Sequence, residues 1–211
     1  MLGIKGKVEN SGNWANWKNT SNGAYALSST TYAYSNIVPI DEHRAVLVYA
    51  DTANGNKPTT RLITRNGLTV TQSGATVADS TAEAYSIWAC LVGVGKVLVT
   101  YEDYIAATVY TTVGVVISVS TSGTISVGSP VDLFVSDTVC EGLGRLTDDK
   151  AVCFIRDYND STYPKTFVVS VSGTVPSAGS AVTMATASVS TATRTLCVTG
   201  DDQFYITERY I

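Results

Sequence analysis

The chain repeats itself, and the repeat is long. Arg44-Ala45-Val46-Leu47-Val48-Tyr49-Ala50-Asp51, Lys96-Val97-Leu98-Val99-Thr100-Tyr101-Glu102-Asp103 and Lys150-Ala151-Val152-Cys153-Phe154-Ile155-Arg156-Asp157 align without a gap. Each opens on a basic residue, continues through apolar side chains and closes on Asp. From Asp51 to Asp103 is 52 residues and from Asp103 to Asp157 is 54. A fourth copy, Gln203-Phe204-Tyr205-Ile206-Thr207-Glu208-Arg209-Tyr210, stands near the carboxy end with Tyr210 in place of the Asp. A step in the fifties is the length of a four-stranded propeller blade.

A second landmark follows each full copy. Gly67, Gly123 and Gly173 come after apolar or β-branched stretches such as Val115-Val116-Ile117-Ser118-Val119 and Phe167-Val168-Val169-Ser170-Val171. Asn66-Gly67 and Ser172-Gly173 are hairpin dipeptides, because Gly accepts the positive φ those turns demand. The first copy is shorter in this region, between Gly67 and Gly74.

The half missing from the fourth copy has its counterpart at the amino end. Gly6-Lys7-Val8-Glu9-Asn10-Ser11-Gly12-Asn13 aligns with Gly173 through Ser180. The spacing therefore predicts an all-β, four-bladed β-propeller of four-stranded antiparallel blades, closed by pairing the amino- and carboxy-terminal half-blades. That closure removes free sheet edges. The expected domain is single, 1–211, with a composite blade of 1–36 plus 193–211 and blades at about 37–86, 87–140 and 141–192. Inner strands are expected to start near Ile37, Ile87, Leu143 and Leu196. Period alone leaves a β-sandwich or β-prism open, since it does not fix how sheets pack.

Composition excludes several classes. Net charge is −4 and no Lys/Arg run exists, which argues against a nucleic-acid partner or an anionic membrane surface. No apolar stretch reaches the roughly 20 residues of a membrane span. Met1 through Glu9 lacks the apolar core of a secretory signal, so a chain made in a cytoplasm is expected. Cys90, Cys153 and Cys197 lie inside apolar runs and are expected to be free, buried thiols. No close Cys/His pairs suggest zinc, and no cofactor fingerprint is present.

Catalytic signals are sparse, and the chain is expected not to be an enzyme. His43, the one histidine, sits in Asp41-Glu42-His43-Arg44 and suits a solvated turn. Asp51, Asp103 and Asp157 recur at one structural place. A glycosidase needs a pair of carboxylates roughly 5 to 10 Å apart, whereas Asp at such a place more simply caps a turn with its own backbone. Asp157-Tyr158-Asn159-Asp160-Ser161-Thr162 is rich in oxygen ligands but fits no EF-hand, and a polar hairpin loop accounts for it.

Aromatic residues carry the stronger functional signal. Trp14 and Trp17 stand in an Asn-rich segment, followed by Tyr25, Tyr32 and Tyr34. Tyr104, Tyr110, Tyr158 and Tyr163 fall in or beside the loops joining second and third strands. Aromatic faces beside Asn and Asp suit sugars and protein interfaces alike. Trp14, Trp17, Tyr104, Tyr110, Tyr158 and Tyr163 are the candidate contact residues; for the two tryptophans, packing between blades competes with contact.

The repeat resembles one found in bacteriophage and environmental viral proteins. There, a strand such as Lys96 to Asp103 precedes a β-rich stretch such as Val119-Ser120-Thr121-Ser122-Gly123-Thr124-Ile125-Ser126-Val127-Gly128-Ser129-Pro130-Val131. The likeness spans nearly the whole chain through loose motifs. It implies a tail, fibre or capsid-associated virion component. The expectation is a structural or host-attachment module of a phage particle, contacting other virion proteins or a host surface glycan, with a homo-oligomer open. A carbohydrate-binding lectin with one pocket per blade is the alternative, and a glycoside hydrolase stands behind it.

Overall fold

The structure is a computed structural model that describes residues 32–106, 109–185, 194–200 and 203–208. Among these residues the fold is all-β, with no α-helix. Three antiparallel sheets share one plan. The first contains β1 (Tyr32–Pro39), β2 (Arg44–Asp51), β3 (Lys57–Asn66), β4 (Thr69–Gln72) and β5 (Thr76–Val77). The second contains β6 (Ala84–Leu91), β7 (Lys96–Ala106), β8 (Val109–Val119), β9 (Ile125–Val127) and β10 (Val131–Phe134). The third contains β11 (Thr138–Arg145), β12 (Lys150–Asp157), β13 (Tyr163–Ser172), β14 (Val175–Ala178) and β15 (Val182–Thr183). A hairpin of β16 (Arg194–Gly200) and β17 (Gln203–Glu208) follows.

Each sheet is a four-row meander whose fourth row is split. Both short strands of that row pair with the long third strand, as β9 and β10 do with β8. The breaks fall at Ser73-Gly74-Ala75, Gly128-Ser129-Pro130 and Gly179-Ser180-Ala181, where Gly and Pro weaken a strand. Gly67, Gly123 and Gly173 turn the chain from third row to fourth with φ of 59°, 86° and 64°. None of the three sheets closes on itself.

The repeat motif is the second row of each sheet, and its unbroken apolar run has a physical cause. Along β7, Val97, Val99 and Tyr101 pack toward the first sheet, while Leu98 packs toward the third. All four are fully buried. A strand covered on both faces has no solvated side to mark with polar residues, so alternation disappears. Each such side chain contributes about 1.5–3 kcal/mol by leaving water. Cys140 and Cys153 are free and buried here, while Cys90 is partly exposed; the side chain of Cys197 lies outside the described set.

Inner strands stand side by side in chain order, β1 beside β6, β6 beside β11 and β11 beside β16. They begin earlier than the sequence suggested, so the sheets span 32–77, 84–134 and 138–183 rather than 37–86, 87–140 and 141–192. A β-bulge explains the difference. Register slips between Ala33 and Asn36 in β1, between Tyr85 and Trp88 in β6, and between Cys140 and Gly142 in β11. The extra residue breaks the two-residue alternation, and only the part after the bulge reads as strand.

Candidate functional site

The bulges shape a cleft at the end of the sheets where inner strands begin and the hairpins between second and third rows lie. The cleft has a volume of about 620 Å³. The first sheet contributes Tyr34, and the second contributes Tyr85, Ser86, Glu102, Tyr104 and Tyr110. Asp137, Val139 and Tyr158 come from the third. Tyr34 and Ser86 occupy equivalent bulge positions with φ of 47° and 44°. Left-handed backbone at a non-Gly residue costs about 1–2 kcal/mol, and a bulge re-aims the side chains beside it.

Tyr85 is the hub of an aromatic cluster. Its ring lies 5.6 Å from Tyr34, 6.5 Å from Tyr104 and 5.8 Å from Tyr110, all edge to face. Tyr104 and Tyr110 are 5.3 Å apart and tilted. The Tyr85 hydroxyl donates to Glu83 Oε1 at 2.6 Å, and that bond, aided by burial, raises the phenol to about 12. Asn56 Nδ2 donates to the same oxygen at 3.2 Å. The ring is thereby held from behind.

Glu102 forms the floor and is only 4% exposed. Its Oε1 accepts the Cys140 amide at 3.0 Å. Burial pushes this carboxyl up to about 7, against hydrogen bonds from Ser86 and the Cys140 amide; Glu141 pushes the same way as burial and Arg156 opposes it. Asp137 Oδ1 accepts the Tyr110 amide at 3.2 Å. Arg156 is engaged elsewhere, with Nη2 3.0 Å from Glu141 Oε1 and its guanidinium 4.9 Å above the Tyr158 ring.

Among the three described sheets, the chemistry of the cleft is not repeated. Glu102 stands opposite Tyr85 in the β6–β7 ladder, whereas the equivalent pairs are Ala33 with Ala50 and Val139 with Arg156. One sheet carries an aromatic and an acid where its neighbours carry alanines, or valine and arginine. A pocket in every sheet would need that chemistry repeated, and among the described sheets these positions do not repeat it.

Of the candidate contact residues, Tyr104, Tyr110 and Tyr158 meet in the cleft. Tyr163 instead begins β13, opposite Asp157. Trp14 and Trp17 lie outside the described residues. Tyr34, Tyr85, Ser86, Glu102 and Asp137 were not among the candidates. The available signal was the residue before the repeated Asp, which is Ala50, Glu102 or Arg156 in otherwise matching copies.

The repeated acids serve local structure. Asp51 Oδ1 accepts the Ala53 amide at 3.2 Å and Asp157 Oδ1 accepts the Asn159 amide at 3.1 Å, both Asx turns. Asp103 differs because its hairpin is longer, and its Oδ1 accepts the Glu83 amide at 3.0 Å. In the oxygen-rich loop, Lys165 Nζ sits 2.8 Å from Asp157 Oδ2 and 2.7 Å from Asp160 Oδ2, neutralising that charge internally. His43 is exposed, and its amide donates to Asp41 Oδ1 at 2.9 Å. A smaller groove of about 420 Å³ between the first two sheets is bordered by Arg44, whose guanidinium already bridges the seam. Comparison of the chain with protein-family models, curated proteins and solved structures finds no match.

Proposed function

We propose that this chain is a non-enzymatic attachment module of a virus particle, and that its tyrosine cleft holds a surface glycan. The observation that carries the glycan is the cluster of Tyr85, Tyr104 and Tyr110 above the buried Glu102 in one cleft. A sugar ring offers a face of C–H bonds and an equator of hydroxyls. Tyrosine faces complement the first, while phenols and carboxylates complement the second. The virion setting rests on the sequence resemblance. Binding without turnover is favoured because the sequence carries no catalytic motif.

The four repeats are taken as four blades of one propeller, the fourth joining the carboxy-terminal hairpin to the amino-terminal half-blade. Two observations support this arrangement. The inner strands are neighbours in chain order through β16. Tyr49 and Phe154 are almost wholly buried on faces of the first and third sheets directed away from the second.

A glycan-array screen of the purified chain, with light scattering on the same sample, tests the role. Selective binding of about one glycan per chain, lost in Tyr110→Ala, is expected. Absence of any glycan binding, together with self-association, would replace attachment with a structural docking part contacting other virion proteins.

A further inference from the structure

We infer that the cleft selects a glycan bearing a free amine, with the ammonium group seated among the tyrosine rings and facing Glu102 and Asp137. This selection rests on the glycan-binding role proposed above and narrows it.

The charge of the walls is one-sided. Apart from the phenols, the titratable groups lining the cleft are Glu102 and Asp137, and among the described residues no Lys, Arg or His lines it. Glu83, another carboxylate, stands directly behind Tyr85. The nearby cation, Arg156, is held by Glu141 and the Tyr158 ring. Aromatic rings present negative faces to a cation, and desolvation strengthens that attraction. The tyrosines and the buried carboxylate therefore favour the same kind of ligand group.

The cleft also has features of a prepared site. Glu102 is removed from water yet fixed by the Cys140 amide. Two walls, at Tyr34 and Ser86, hold left-handed backbone that persists only where the surroundings enforce it. Above about pH 7, where Glu102 is ionised, an anionic sugar would meet like charge at the floor. An N-acetylated amine loses its charge and gains bulk, giving up both the ring and the carboxylate attraction.

The test is titration calorimetry of the full chain with a glucosamine tetramer, its N-acetylated form and a glucose tetramer. The glucosamine tetramer is expected to bind about tenfold more tightly than the other two, a ratio within reach of one desolvated cation–π contact and one carboxylate. Glu102→Gln is expected to bring the glucosamine and glucose tetramers to equal affinity, the comparison being made within the variant. Asp137→Asn gives the same direction of change should the first variant fold poorly. Equal affinity for all three sugars, or a preference that survives in both variants, would overturn the selection and leave glycan binding intact. Failure of all three to bind at millimolar concentration would remove the glycan role itself.

Discussion

Arg44 Nη1 donates to the carbonyl oxygen of Ser120 at 2.7 Å, tying the start of β2 to the outer hairpin of the neighbouring sheet. Lys96 Nζ repeats the contact one sheet along, donating to the Gly173 carbonyl at 2.9 Å. The basic residue that opens the first two motifs thus has a structural role between sheets. Arg44→Met and Lys96→Met are each expected to cost about 1 kcal/mol, seen as a lower urea midpoint at unchanged slope. The cost should be larger for Arg44, which also pairs with Asp41 at 2.6 Å. Unchanged midpoints in both variants would show that the seam does not depend on them.

The same seam makes one glycine indispensable for space. A Cβ at Gly128 would stand 2.2 Å from the Thr174 carbonyl oxygen, a backbone atom that cannot rotate away. At Gly173 nothing lies within 4 Å, and only the φ of 64° resists a side chain. Gly173→Ala is expected to cost about 1 kcal/mol from strain alone, and Gly128→Ala about 3 kcal/mol from overpacking. Thermal melts of the two variants give the order directly, and a reversed order would contradict the packing.

Much of this architecture was legible in the sequence because the repeat and its turn glycines are written in local chemistry. Gly67, Gly123 and Gly173 sit at the expected hairpins, and Asp51 and Asp157 cap turns. The inner strands start before the alternation in the sequence does, because bulges at Tyr34, Ser86 and Glu141 interrupt it. Only part of the cleft was legible. Tyr104, Tyr110 and Tyr158 announced themselves as loop aromatics. Glu102 did not, because it sits inside an apolar strand, and its meaning comes from pairing with Tyr85 across the ladder.

Glu102 gives the fold a pH dependence of definite sign. Unfolded, it ionises near 4.5; folded, burial raises it to about 7. The native state binds the proton more tightly, so the stability linked to it is complete below about pH 4.5 and is lost as pH rises through about 7. Glu102→Gln should match the wild type near pH 4 and exceed it by about 3 kcal/mol near pH 8. Denaturant titrations at the two pH values check this, with the variant-minus-wild-type difference cancelling other carboxylates. A difference independent of pH would place the ionisation elsewhere.

Cys140 and Cys153 have their Sγ atoms 3.6 Å apart in a closed core. The hydrogen bond with Cys140, reinforced by burial, pushes the Cys153 thiol well above the ordinary range. Thiolate is the reactive form. Iodoacetamide should leave both unlabelled in the native protein near pH 8, with labelling appearing only at the global unfolding transition. Rapid native labelling would reveal local opening between β11 and β12.

The most direct test of the glycan-binding cleft is fluorine NMR of protein carrying fluorotyrosine, with resonances assigned by single Tyr→Phe variants and titrated with the best glycan from the array. The tyrosines at positions 85, 104 and 110 should shift together and saturate at one equivalent. Those at 49 and 101, fully buried in the sheet cores, should stay in place. Glycan binding that leaves all three cleft resonances unmoved would contradict the central claim.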